Sequence, residues 1–344
     1  MDNASLGRLL ERARRILVWH QGALGDVLLA GPALLALARR YPGAGFTLVG
    51  NPATLGLLAA TLPVAAVLSS SGAVWLELFQ EAGAGSPALG EILAPLDLAV
   101  IFGPQEQPDF LERWRRAGVP RVCWLPSFPL AGRRPLASLQ AARLQALGLE
   151  TPPPEFRLVV PPGERQAARV WREVRGQSPG PLVALAPGSG HPRKNWPLAN
   201  YLELGRWLTD AWQAEVWWVL GPAETALGEQ VVALHPPARG RLLQKLPLSL
   251  LAAYLAECAL FVGNDSGVTH LAAAVGVPRV TAIFGPSDPV IWSPPGATVI
   301  AGGRPCAPCT QGRTITCPEA ACLTDLAMAV VRGVLEEQLA AAGF

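Results

Sequence analysis

Charge is scarce in this sequence. Of 344 residues only 16% are charged, against about a quarter in an ordinary globular domain. The 28 basic and 26 acidic side chains leave a net +2, so there is no global field of the kind that gathers nucleic acid, and an anionic partner must be recognised locally. Long uninterrupted apolar runs are missing too. No residue from Tyr41 to Leu76 is charged, but Asn51, Pro52, Gly56, Pro63 and the "SSSG" at 69–72 break the stretch, and a membrane span needs about 20 consecutive apolar residues. The stretch therefore reads as buried strands and short helices. The opening "MDNASLGRLLERARRILVWHQG" mixes acidic and basic residues before a short apolar run, which is not the pattern of a secretory signal. The expectation is a cytoplasmic protein, and a mean hydropathy of +0.29 leaves room for peripheral contact with a membrane surface.

What is present is core-forming material: 50% of the residues are hydrophobic, and the length suits about two domains. Short apolar runs alternate with helical stretches, which argues for parallel α/β sheets. In the first half these runs are "RILVWH", "FTLVG", "AAVLS", "LDLAVIFG" and "RVCWLP"; in the second they are "PLVALAPG", "AEVWWVLG", "RLLQKL", "CALFVGND" and "RVTAIFG". Between them lies the proline-rich "LETPPPEFRLVVPPGERQ", a stiff connection. The expected organisation is a Rossmann-like domain over 1–162, a second over 163–322, and a packing helix over 323–344. In that helix Leu323, Leu326, Val330 and Val334 form the apolar stripe and Thr324 is the cap.

Four segments carry chemistry. Between Arg15 and Arg39 the sole charged side chain is Asp26, in "HQGALGDVLLAGPALLALA". As a helix N-cap after a glycine turn it is structural; as a carboxylate at the mouth of an α/β crevice it faces a ligand. In "APGSGHPRKNWP" the small residues Gly188, Ser189 and Gly190 precede Arg193 and Lys194. Such a loop cradles phosphate through backbone amides and an ammonium, although it is not a Walker A sequence and an ordinary polar turn has the same letters. In "LFVGNDSGVTHLAAA" a strand delivers Asn264, Asp265, Ser266 and Gly267 to a helix start that carries His270. A serine nucleophile is excluded there, because no G-x-S-x-G elbow is present. Glu224, in "VLGPAET", stands where a carboxylate holds a ribose diol or simply caps a helix.

Together, "GALGDVLLAGPALLALARRYPGA", "APGSGHPRKNWPLANYLELG", "VLGPAET" and "GNDSGVTHLAAAVGVPRVTAIFGPSDPVIW" resemble glycosyltransferase family 9, the bacterial heptosyltransferases, in order and spacing across residues 16–292. The resemblance implies a GT-B fold of two facing Rossmann-like domains, with the acceptor on the first and the nucleotide-sugar donor on the second. It implies ADP-heptose as donor, a growing lipopolysaccharide core as acceptor, and an inverting transfer without a metal. By the same resemblance Asp26 is the general base, Lys194 meets the donor phosphates beside Ser189 and Gly190, Asp265 binds donor sugar hydroxyls, Ser266 and Gly267 hold the diphosphate with His270 beside them, and Glu224 accepts from the ribose. A sugar-nucleotide epimerase, or a non-catalytic module that binds a nucleotide-sugar or glycolipid, is the alternative; donor turnover without acceptor would mark the former.

Two features lie outside that core. Arg113, Arg115, Arg116, Arg121, Arg133 and Arg134 cluster in the first half, where an anionic glycolipid acceptor is expected, though most basic clusters are solvated faces. Cys306, Cys309, Cys317 and Cys322 form C-x2-C-x7-C-x4-C. These thiols suit a structural zinc in type but not in the spacing of a common ribbon, so no metal or other cofactor is expected to be required. Cys123 and Cys258 read as small buried apolar residues.

Overall fold

The computed structural model describes residues 13–80, 86–129, 132–149, 155–174, 179–221, 224–234, 240–309, 317 and 319–344. Residues 1–12 of the N-terminal segment read for a signal, the prolines at 152–154, Pro222, and residues 310–316 and 318 of the cysteine segment lie outside them. The chain divides into two compact units, Met1–Val159 and Val160–Phe344.

In the first unit β1 (Arg15–His20), β2 (Gly45–Gly50), β3 (Val64–Ser69), β4 (Leu98–Gly103) and β5 (Val122–Pro126) make a parallel sheet in the order β3-β2-β1-β4-β5. Beyond Arg15 every residue of β1 is buried, because helices cover both faces of a parallel sheet, and this is why the strand reads as an unbroken apolar run. Successive side chains alternate between the faces. Leu17 and Trp19 join a cluster with Trp75, Leu111 and Trp114, in which Trp19 meets Trp75 and Trp114 edge-on at 5.4 and 5.7 Å. Ile16, Val18 and His20 fall on the other face. The first-unit helices include α1 (Leu24–Leu29), α2 (Gly31–Arg40), α3 (Pro108–Arg116) and α4 (Leu136–Ala146). At the foot of the sheet the Asp97 carboxylate accepts the Arg14 and Arg15 amides at 2.7 and 3.0 Å, which pins the start of β1 against β4.

In the second unit β6 (Leu182–Ala186), β7 (Glu215–Leu220), β8 (Gly240–Gln244), β9 (Leu260–Asn264), β10 (Arg279–Phe284) and β11 (Thr298–Ala301) are parallel in the order β11-β10-β9-β6-β7-β8. Its longer helices are α5 (Pro162–Val174), α6 (Leu198–Trp212), α7 (Thr225–Leu234), α8 (Leu248–Leu255), α9 (Gly267–Val275) and α10 (Met328–Ala340). In each sheet the first strand lies in the interior and the chain winds outward first one way and then the other. Strand order thus reverses between β1 and β4 and again between β6 and β9, and a crevice opens beyond the carboxyl ends of strands at such a point.

The C-terminal segment differs from expectation. It is two helices, Ala321–Thr324 and α10, and Thr324 ends the first of them; the residue before α10 is Ala327, which has no side-chain cap. The break resets the helical phase. Leu323 is buried as expected, but in α10 the stripe is Val331, Leu335 and Leu339, while Val330 is 51% exposed. The indole of Trp196 holds the break by donating to the Leu326 carbonyl at 3.1 Å. Leu335→Ala is expected to cost about 2–5 kcal/mol, the usual loss for a buried leucine. Val330→Ala should stay within about 0.5 kcal/mol of wild type. Urea unfolding of the two variants checks both, and a reversed order would place the stripe on the wrong face.

Candidate functional site

At the switch point of the second unit the chain leaves β6 as Pro187, Gly188, Ser189 and Gly190. It makes a 3-10 turn over Pro192–Lys194 and enters α6 after Pro197. Alongside, β9 ends at Asn264 and Ser266 caps α9, its hydroxyl accepting the Thr269 amide at 3.4 Å. The two segments are joined by Asn264, which is fully buried. Its Oδ1 accepts from the Trp196 amide at 2.9 Å and the Tyr201 hydroxyl at 3.1 Å, and its Nδ2 donates to the Pro187 carbonyl at 2.8 Å. With Trp196 fixed to Asn264, Lys194 is in reach of Asp265. Its Nζ lies 2.7 Å from Oδ2, with the lysine side chain 31% exposed and the aspartate 9%.

Lys194, Asp265, Ser266 and Gly267 are therefore brought together. His270, one turn into α9, is buried beside them. Burial drives its pKa down to about 4, opposed by the Asp265 carboxylate and assisted by the Lys194 ammonium, so the ring is neutral near pH 7. Glu224 joins from the end of β7: its Oε2 accepts the Gly221 amide at 2.5 Å. A Cβ on Gly188 would fall 2.4 Å from the Glu224 carboxylate carbon, so glycine at 188 is what lets β6 and β7 bring these groups side by side. Ser189 is turned inward on its own loop, its hydroxyl donating to the His191 carbonyl at 2.8 Å. Gly190 is exposed. The crevice thus holds a cation and two carboxylates on the small-residue ends of three strands, a set of groups able to take an anion, hydroxyls and a diol.

In the first unit Asp26 is the third residue of α1 rather than its N-cap. Its Oδ2 reaches back to accept the Ala23 amide at 2.9 Å, the contact a carboxylate makes in the first turn of a helix. It is half-buried. His20 is buried at the end of β1, where the chain turns toward α1, and its Nδ1 accepts the Gly22 amide at 3.1 Å.

Several arginines of the basic cluster have structural work. Arg115 and Arg116 pair with Glu112 at 3.2 and 3.7 Å, Arg113 donates to the Leu78 carbonyl at 3.4 Å, and Arg121 donates to the Asp97 carbonyl at 2.8 Å. Arg133 and Arg134 are exposed. Cys306 and Cys309 are exposed, Cys317 is half-buried and Cys322 buried. Among the described residues no group of three or more His, Cys, Asp or Glu side chains is arranged to hold a metal ion. Cys258 is buried and Cys123 half-buried. Among the described residues no helix is long and apolar enough to cross a membrane. His20 is the position that sequence reasoning passed over, and Asn264 is named there without a role; each is a polar residue closing an otherwise apolar strand, a signal that marks such positions.

Residues 134–321 match the family described as "Glycosyltransferase family 9 (heptosyltransferase)". The chain is 27% identical over 329 residues to lipopolysaccharide heptosyltransferase 1 of Pseudomonas aeruginosa, covering 86% of each chain. Among solved structures it superposes on a family 9 glycosyl transferase of Veillonella parvula with a TM-score of 0.74, at 19% identity over 95% of this chain and 97% of that one. It superposes on the ADP-heptose lps heptosyltransferase II of E. coli with a TM-score of 0.73, at 22% identity over 96% of this chain and all of that one. These likenesses establish the GT-B fold.

The two buried imidazoles make stability pH-dependent. His20, like His270, is held down to about 4 by burial, whereas an unfolded chain takes up these protons near pH 6.5. Stability is then full above about pH 6.5 and falls as the pH drops toward 4, by on the order of 1 kcal/mol per pH unit for each ring. Urea unfolding at pH 7.5 and 5.0 should show the loss, and His270→Asn should shrink it; equal stabilities at the two pH values would show that the rings are hydrated.

Proposed function

The chain belongs to glycosyltransferase family 9, and from that premise we propose that it moves a heptose from ADP-heptose to a lipopolysaccharide core, inverting the anomeric centre and needing no metal ion. The observation that carries this reading is the pairing of Lys194 with Asp265 at the ends of β6 and β9, with Glu224 at the end of the neighbouring β7 set against Gly188. A nucleotide-sugar offers such a crevice a diphosphate, sugar hydroxyls and a ribose. In this reading Lys194 takes the diphosphate, with the loop of Ser189 and Gly190 on one side and the α9 start at Ser266 and Gly267 on the other. Asp265 takes sugar hydroxyls and Glu224 the ribose diol, while His270 remains neutral beside them.

Asp26 removes the proton of the acceptor hydroxyl as its oxygen attacks the anomeric carbon. The new C–O bond forms as the bond to the diphosphate breaks. ADP leaves with the electron pair, its charge met by Lys194, and one displacement inverts the centre. The acceptor is an anionic glycolipid, so we place the enzyme in the cytoplasm with peripheral contact at the inner membrane surface. The names of the relatives support the sugar and the acceptor.

Transfer from ADP-heptose to a lipopolysaccharide core acceptor, assayed with EDTA present, tests the reading; donor consumed without acceptor would favour an epimerase instead. In that assay Asp26→Asn should lose roughly 10²- to 10⁴-fold in turnover, the usual worth of a general base. Its melting temperature and ADP affinity should be unchanged, since asparagine can still accept the Ala23 amide. Turnover near wild type would reduce Asp26 to a structural residue. Lys194→Ala should weaken ADP by about 1–3 kcal/mol, the range for a charged hydrogen bond. It should also lower the melting temperature, because Asp265 loses its counter-ion; calorimetry giving wild-type affinity would remove Lys194 from the donor site.

A further inference from the structure

His20 plays no part in the transfer chemistry above, yet it is built into the turn that carries Asp26. The ring is 1% exposed and packs on Phe102 at 4.8 Å. Because Nδ1 accepts the Gly22 amide, the neutral imidazole carries its proton on Nε2. That Nε2 is buried and meets no hydrogen-bond partner among the described residues. The side chain thus makes one hydrogen bond and leaves one donor unpaired, a near-even exchange in stability. Its value lies in geometry.

Gly22 is wedged between the ring and the carboxylate. A Cβ there would fall 2.7 Å from His20 Cε1, 2.6 Å from Asp26 Cβ and 3.0 Å from Asp26 Oδ2. The two successive amides of the turn are divided between the same two side chains, Gly22 N–H to the imidazole and Ala23 N–H to the carboxylate. The six-residue α1 is too short to fix Asp26 by itself, so its orientation depends on the turn before it. We infer that His20 is a positioning residue for Asp26: by holding the Gly22 amide it fixes the turn on which the carboxylate is braced. The inference rests on the reading of Asp26 as the base, and His20 itself neither gives nor takes a proton.

The test compares His20→Phe, His20→Asn and His20→Gln in the full-length protein. Asparagine sets an oxygen close to the position of Nδ1, and glutamine sets one close to Nε2. Amide exchange of residues 20–27, read by mass spectrometry, reports the turn without reference to activity, and ADP-heptose transfer reports its consequence. In His20→Phe, exchange should quicken about tenfold or more and kcat should fall about tenfold or more, with the donor KM within about twofold. His20→Asn should restore both to within about threefold of wild type, and His20→Gln should resemble the phenylalanine variant. Wild-type exchange in His20→Phe, or an asparagine variant no better than phenylalanine or glutamine, overturns the inference. Should His20→Phe fail to fold, the asparagine and glutamine pair decides it in the same way. If the wild-type protein transfers no sugar while exchange follows the expected order, the proposed function fails and the positioning role stands.

Discussion

One buried carboxamide sets the geometry of the second unit's crevice. Asn264 ends β9 and spends three hydrogen bonds on the segment that leaves β6, one on Pro187, one on Trp196 and one on Tyr201. Each partner is a group that would otherwise be buried without satisfaction, so the loop has few other ways to close. The consequences follow by adjacency. Asp265 comes directly after Asn264 and Lys194 two residues before Trp196, so the bond between Trp196 and Asn264 brings the pair together. Trp196 in turn ties the C-terminal segment through Leu326, which makes the break before α10 part of the same arrangement.

The first unit solves a similar problem with fewer parts. A parallel strand ends, the chain must turn, and the free amides of the turn need acceptors. There the acceptors are His20 and Asp26, with Gly22 between them because no side chain fits. In both units the polar residue that closes an apolar strand organises the loop beyond it.

The sequence displayed the fold where parallel strands are buried on both faces. Runs such as "RILVWH" and "LFVGN" have few soluble alternatives to a covered sheet. It did not display β11, a four-residue edge strand whose one buried residue is Ile300, since such a strand has neither an apolar run nor a clean alternation. The sequence suggests one helix over 323–344 because the spacing of Leu323 and Leu326 continues smoothly into Val330 and Val334, whereas the break between them is fixed by Trp196, more than a hundred residues away. The chemistry of the crevice was visible as letters at strand ends, but its wiring was not. That Lys194 and Asp265 pair across 71 positions, that Ser189 folds onto His191, and that Asp26 sits inside the first turn of α1 are properties of the assembled chain.

The ion pair has a thermodynamic consequence for what the crevice can hold. Lys194 is not waiting as a bare cation: one of its three N–H donors is given to Asp265, and an anion that takes the ammonium either shares it with that carboxylate or displaces the carboxylate. A free phosphate that displaced it would leave a carboxylate that is only 9% exposed without its counter-ion, which costs free energy. A ligand bringing an anion and hydroxyl donors together, as a nucleotide-sugar does, satisfies both halves of the broken pair. On the proposed assignment the site therefore discriminates by stoichiometry of charge and hydroxyl.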